Sequence, residues 1–219
     1  MSQALYSMVG GFLGAGKTTA ILKLAQALTA RGLRVGLITN DQSVGLVDTR
    51  LLESHDFPVE EITGGCFCCR FNSLVEASEK LSAEAPPDVF LAEPVGSCTD
   101  LLAAVSFPLR RIYGESYRVA PLSVLVDPVR AERILGLETG PNFSRKVLYV
   151  YAKQLEEAEL LLINKTDLLD RERLARLRDA LAAAYPKAEI LEISAREGTG
   201  IDAWIDRMLA APGASETAP

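Results

Sequence analysis

Gly11-Phe12-Leu13-Gly14-Ala15-Gly16-Lys17-Thr18 decides how this chain reads. The stretch satisfies G-x-x-x-x-G-K-[ST] at every fixed position. It follows the apolar run Leu5–Val9, which reads as a strand. It opens the segment Lys17–Arg31, where Ile21, Leu24, Ala25 and Leu28 recur at helical spacing and Gly32 supplies the stop. Glycines let the backbone curl so that several N–H groups point at phosphate oxygens, and the helix N-terminus adds its positive dipole end. Gly11, Gly14, Ala15 and Gly16 thus form a phosphate cradle. Lys17 supplies a mobile charge to the β and γ phosphates, and the Thr18 hydroxyl is a ligand for Mg²⁺.

Outward from this loop, short apolar runs alternate with amphipathic ones. Leu33–Thr39, Val59–Ile62, Asp88–Ala92, Leu122–Val126, Leu160–Ile163 and Glu189–Ile193 read as strands. Asn72–Leu81 reads as a helix with Asn72 as its N-cap, and Arg171–Tyr185 and Ile201–Leu209 read as helices with apolar faces. Near-continuous apolar strands separated by amphipathic helices predict an α/β fold. The expected form is the three-layer αβα sandwich of a P-loop NTPase, with a mostly parallel sheet. One domain is expected over residues 1–210, with 211–219 as a frayed, small and polar tail. The net charge of −6 and pI of about 5.0 argue against nucleic-acid binding as the main task. No apolar run is long enough to span a bilayer, and Met1–Met8 has no signal-peptide pattern, so a cytoplasmic protein is expected.

Asn164-Lys165-Thr166-Asp167 follows the strand Leu160–Ile163 in the N-K-x-D arrangement of GTPases. A carboxylate at Asp167 accepts hydrogen bonds from the guanine N1–H and exocyclic amine together; adenine lacks that pair of donors. Ser194-Ala195, at the end of the last strand, matches the short motif whose backbone contacts the guanine oxygen. Glu93-Pro94-Val95-Gly96 ends the strand Asp88–Ala92. Glu93 is placed to reach the Mg²⁺ shell or the attacking water, and the Gly96 N–H to meet the γ phosphate. GTPases usually carry Asp where this chain has Glu93. Asp41, after the second strand, is a second candidate for the Mg²⁺ shell.

Three of the four cysteines crowd into Cys66-Phe67-Cys68-Cys69, after Gly64-Gly65. Thiolates are soft ligands that favour Zn²⁺ and Cu(I), and C-x-C spacing can set two sulfurs on one ion with Cys69 as a third. Cys98 is a candidate for the missing fourth ligand; water, an acid or a partner's residue are others. Free thiols at a turn and a redox pair are the competing readings. His55, the single histidine, reads as a loop residue.

Taken together, G-F-L-G-A-G-K-T-T at Gly11–Thr19, G-G-C-F-C-C at Gly64–Cys69, E-P-V-G at Glu93–Gly96 and I-N-K-T-D at Ile163–Asp167 resemble the CobW/HypB/UreG metallochaperone GTPases, and most nearly the CobW-like branch. The likeness runs from Leu5 to Leu209 and includes Gln154–Glu159 before the base-reading loop. It implies a GTPase that couples hydrolysis to delivery of Zn²⁺, Ni²⁺ or Co²⁺ to a metalloprotein client, with GTP and GDP as ligands and a homodimer as a further expectation. It also implies Cys66, Cys68 and Cys69 as metal ligands and Glu93 as the unusual acid that replaces Asp; with Lys17 of the phosphate loop, Glu93 is the expected catalytic residue. Asn40-Asp41-Gln42 stands where many CobW-like proteins have Asn-Glu-Phe-Gly, a detail nearer the urease-maturation branch. CobW-like proteins also usually carry a second, C-terminal domain that these residues do not include. Two other functions fit parts of the pattern. One is a metal buffer or sensor whose nucleotide only sets conformation. The other is a P-loop kinase using Arg110-Arg111 at the γ phosphate.

Overall fold

The computed structural model describes residues 3–40, 55, 57–83, 85–140 and 143–210. Among these, eight strands form one sheet: β1 (Ala4–Gly11), β2 (Val35–Thr39), β3 (Val59–Glu61), β4 (Val89–Glu93), β5 (Tyr117–Val119), β6 (Ser123–Val126), β7 (Leu160–Ile163) and β8 (Glu189–Glu192). The order is β3-β2-β4-β1-β6-β7-β8, with β5 beside β1, and every ladder is parallel. β1 is central. β4 lies along one edge, while β5 takes Ala4–Tyr6 and β6 takes Val9–Gly11 on the other. A strand paired on both edges and covered on both faces has no solvent side, which is why Leu5, Tyr6, Ser7, Met8 and Val9 are all buried.

The helices are α1 (Lys17–Ala30), α2 (Phe71–Ser82), α3 (Phe107–Ile112), α4 (Pro128–Ile134), α5 (Arg145–Glu157), α6 (Arg171–Ala184) and α7 (Ile201–Leu209). A π-helical turn, Leu102–Ser106, leads into α3. One face of the sheet is covered by α1 and α7, where Ile21, Leu24 and Leu28 meet Trp204, Ile205 and Met208. The indole N–H of Trp204 donates to Ser123 Oγ at 3.0 Å, so the largest buried ring on this face also has its polar edge satisfied. On the other face Leu74, Leu109, Tyr151, Leu155, Leu177 and Leu181 come from α2, α3, α5 and α6. The result is the expected αβα sandwich. No helix among the described residues is long and apolar enough to cross a membrane.

The sequence does not reveal α3, α4, α5, β5 or the π-helical turn before α3. The start of α2 also differs. Asn72 is not the N-cap: the helix begins at Phe71, after Arg70, and no side chain caps it. The cysteine turn winds straight into the helix, with Arg70 N–H bonded to the carbonyls of Cys66 and Phe67, so the cap position is filled by backbone bonds.

In a parallel sheet, all strand carboxyl ends share one rim. The loops after β1, β2, β4, β6, β7 and β8 therefore converge. The strand order reverses at β1, since β4 and β2 lie on one side of it and β6 on the other, and Gly11 at the end of β1 pairs with Leu125 of β6.

Candidate functional site

Gly16 precedes α1 in the left-handed region, at φ 89°. A Cβ there would approach the Asn164 amide nitrogen to 2.7 Å, so this position needs glycine on two counts. No side chain caps α1, and its first N–H groups stay directed at the loop. Lys17 is buried, with Nζ 3.9 Å from Glu93 Oε1. The Thr18 hydroxyl donates toward both Glu93 carboxylate oxygens, at 3.2 Å each. Gly96 completes the group: a Cβ on it would lie 3.0 Å from Leu13 N and 3.2 Å from Lys17 Nζ. The turn after β4 thus lies directly over the phosphate loop.

At the other end, Asn164 Nδ2 donates to the Ala15 carbonyl at 2.8 Å, and Asn164 Oδ1 accepts from Ala195 N–H at 3.0 Å. One buried amide joins the loops after β1, β7 and β8. Lys165, at φ 61°, donates to the Gly14 carbonyl and pairs with Asp127 at 2.6 Å. Ser194 Oγ donates to Asp167 Oδ1 at 2.6 Å and fixes the exposed carboxylate in one orientation. Thr19 lies in the first turn of α1. Asp41 lies outside the described residues.

The cysteine turn sits on the same rim. Phe67 is fully buried and anchors the turn, which closes through Cys69 N–H to the Cys66 carbonyl. Cys66 Sγ is 2.7 Å from Cys68 Sγ, and Cys68 is 4.0 Å from Cys69. The three sulfurs lie within 4.8 Å of one another and can share one ion. Buried Cys98 stands beside this group, 3.6 Å from Cys68, but is not one of the three sulfurs that all lie within 4.8 Å of one another. Burial pushes the Cys98 thiol up to about 11 and raises Cys68 as well. Burial raises the Cys66 thiol too, but hydrogen bonds from Cys68 and Cys69 outweigh it and draw that thiol down.

Asn40 links this turn to the phosphate side. Its backbone N–H bonds the Glu93 carbonyl, and its side-chain N–H₂ donates to the carbonyls of Ile62 and Gly65. The arginines assigned to a kinase lie elsewhere. Arg110 pairs with Glu159, which also accepts from Leu122 N–H. Glu159 and Leu122 precede β7 and β6, so Arg110 occupies the amino rim, opposite the phosphate loop. The arginine beside the loop is Arg130, which donates to the Leu13 carbonyl at 2.5 Å and stacks 4.9 Å over Phe12. Arg130, Asp127 and Gln154 were missed from sequence. Asp127 was findable, because it is a strand-end acid on this rim by the rule that selects Glu93.

Two relatives and one solved structure are similar to this chain. A zinc chaperone CobW from a Sinorhizobium species is 28% identical over 211 residues, covering 88% of this chain and 59% of that protein. Zinc-regulated GTPase metalloprotein activator 1 of Dictyostelium discoideum is 26% identical over 215 residues, covering 84% and 44%. The chain therefore spans about half the length of these curated relatives. HypB from Helicobacter pylori, solved in complex with nickel, superposes with a TM-score of 0.64 at 16% identity, covering 94% of this chain and 86% of that one. Residues 5–192 match the family model for the nucleotide-binding domain of CobW/HypB/UreG, and the chain belongs to that family.

Proposed function

We propose that this chain is a GTP-hydrolysing metallochaperone domain that carries a transition metal, zinc first, on Cys66, Cys68 and Cys69. The observation that carries the reading is the shared rim. The Thr18–Glu93–Gly96 group and the cysteine turn are joined through Asn40, and the curated relatives are described as zinc chaperones and zinc-regulated GTPases. A hydroxyl and a carboxylate 3.2 Å apart, beside Lys17, are the hard oxygen donors that Mg²⁺ takes together with phosphates and water. When bound, that ion neutralises charge on the β and γ phosphates. Lys17 holds the same phosphates, Gly96 offers its N–H, and Glu93 orients either the metal's water shell or the attacking water. Loss of the γ phosphate releases the Glu93–Gly96 turn. A metal that prefers one nucleotide state must raise that state's nucleotide affinity by the same factor.

Base choice rests on Asp167. GTP is expected to bind at least about tenfold more tightly than ATP, because adenine leaves a polar acceptor without its donors. Asp167→Ala should erase the preference in a fluorescent-nucleotide competition assay. Equal wild-type affinities would show that this loop does not read guanine.

The proposal as a whole is tested on the metal. Under reducing conditions about one Zn²⁺ per chain is expected, held by thiolates, with an intense cobalt–thiolate charge-transfer band on Co²⁺ substitution that weakens in Cys68→Ser. Zinc affinity, read by competition with a chromophoric chelator, should be higher with a non-hydrolysable GTP analogue than with GDP, by about fivefold or more. Equal affinities in the two states would leave a buffer that happens to share a chain with a GTPase.

A further inference from the structure

The turn after β4 does two things at once. Gly96 lies against Lys17 and the phosphate loop, while two residues on, buried Cys98 reaches Cys68 at 3.6 Å. A tetrahedral zinc with bonds of about 2.3 Å to sulfur sets its sulfurs about 3.8 Å apart. The Cys68–Cys98 and Cys68–Cys69 separations of 3.6 and 4.0 Å already bracket that value. The Cys66–Cys68 separation of 2.7 Å must open by about 1 Å to accept the ion.

One side chain grips both ends of this short segment. Gln154, buried on α5, donates through Nε2 to the Gly96 carbonyl at 3.0 Å and to the Cys98 carbonyl at 2.9 Å. The segment is closed by Cys98 N–H bonding the Val95 carbonyl. Just beyond it, the Glu157 carboxylate accepts from Asp100 N–H and Leu102 N–H, pinning the chain to the same helix. A displacement of Gly96 is therefore carried to Cys98 by a shared amide rather than absorbed by a slack loop.

We propose that Cys98 is the fourth thiolate of the metal site, and that Gln154 is the positioning residue that makes this ligand follow the nucleotide. The proposal rests on the thiolate reading above and adds the ligand that responds to GTP. The ion displaces the Cys98 proton to solvent and forms one zinc–sulfur bond in its place. In the nucleotide state that draws Gly96 toward the phosphate loop, Cys98 is in reach and the site has four sulfurs. In the other state, three cysteines on their own turn keep a weaker hold, and the open position faces an acceptor.

The test uses the whole chain, zinc and cobalt, with GDP or a non-hydrolysable GTP analogue. Zinc-edge X-ray absorption should count four sulfurs in the wild type with the analogue and three in Cys98→Ser and Cys98→Ala. The cobalt charge-transfer intensity per ion should fall by about a quarter in these variants. The wild-type ratio of metal affinities between the two nucleotide states, about fivefold or more, should fall to near one in both. Gln154→Met keeps the side chain's length and removes its donors. It should retain four sulfurs with the GTP analogue and lose most of the ratio. An unchanged sulfur count and ratio in the Cys98 variants would overturn the ligand assignment, and an unchanged ratio in Gln154→Met the positioning role. A wild type with no cobalt–thiolate band would overturn the thiolate reading itself, and Cys98 with it.

Discussion

Lys17→Ala is expected to slow GTP hydrolysis by about 10²–10³-fold, or about 3–4 kcal/mol of transition-state stabilisation. The size follows from where the ammonium sits. Lys17 is 8% exposed and lies 3.9 Å from Glu93, so its charge acts in a site from which most water is excluded. Charge grows on the phosphate oxygens during transfer, and a preorganised cation there needs no reorganisation at the moment of reaction. Alanine removes the cation but leaves the Gly16 geometry and the Thr18–Glu93 contact, so circular dichroism and thermal midpoint should stay near wild type. Single-turnover hydrolysis is the measurement. A variant that hydrolyses GTP at near the wild-type rate, in a preparation free of contaminating GTPase, would take Lys17 out of the reaction.

The second large effect is on stability. Trp204→Ala is expected to cost about 3–5 kcal/mol, the range for emptying a buried tryptophan site. Trp204 is fully buried between α7 and the sheet, and its N–H satisfies Ser123 Oγ. For a domain whose total stability is on the order of 5–15 kcal/mol, that loss can leave a substantial unfolded fraction at 37 °C. Trp204→Phe keeps most of the volume and gives up the hydrogen bond, so about 1–2 kcal/mol is expected. Urea midpoints by far-ultraviolet circular dichroism are the readout, because the chain has a single tryptophan and its fluorescence leaves with it. A loss below about 1 kcal/mol for the alanine variant would mean that α7 does not close the core as described.

Much of this was legible because the decisive signals are local. The phosphate loop, N-K-x-D and the cysteine run each sit on one strand end, and a parallel sheet brings strand ends to one rim without further information. What was lost depended on long-range packing. Val147-Leu148-Tyr149-Val150-Tyr151 has the β-branched and aromatic content of a strand, yet it lies within α5. There it is fixed by burial of Tyr151, Gln154 and Leu155, while Tyr149 faces solvent. Pro108 masks α3, because proline reads as a helix breaker, yet the π-helical turn Leu102–Ser106 winds straight into the helix that contains it. β5 and α4 are too short to show a period. Gln154 reads only as the start of the family-like stretch Gln154–Glu159, and its role at the turn after β4 shows only once the fold brings α5 against that turn. Arg110 and Arg130 show the same limit, since only topology says which rim an arginine occupies.

Asn164 ties Ala15 to Ala195, and Lys165 ties Gly14 to Asp127. On the proposed function this is the half of the pocket that takes the base; it is cross-linked by protein alone, and this bears on time rather than on affinity. A guest arriving there meets a finished seat, so entry need not wait for loops to assemble. Departure would be limited by the last contacts to let go, which the proposed function puts at Glu93 and Gly96. On the proposals made above, the dwell time of each nucleotide would be set at the end that also moves Cys98, and that dwell time would be the clock that spaces one metal transfer from the next.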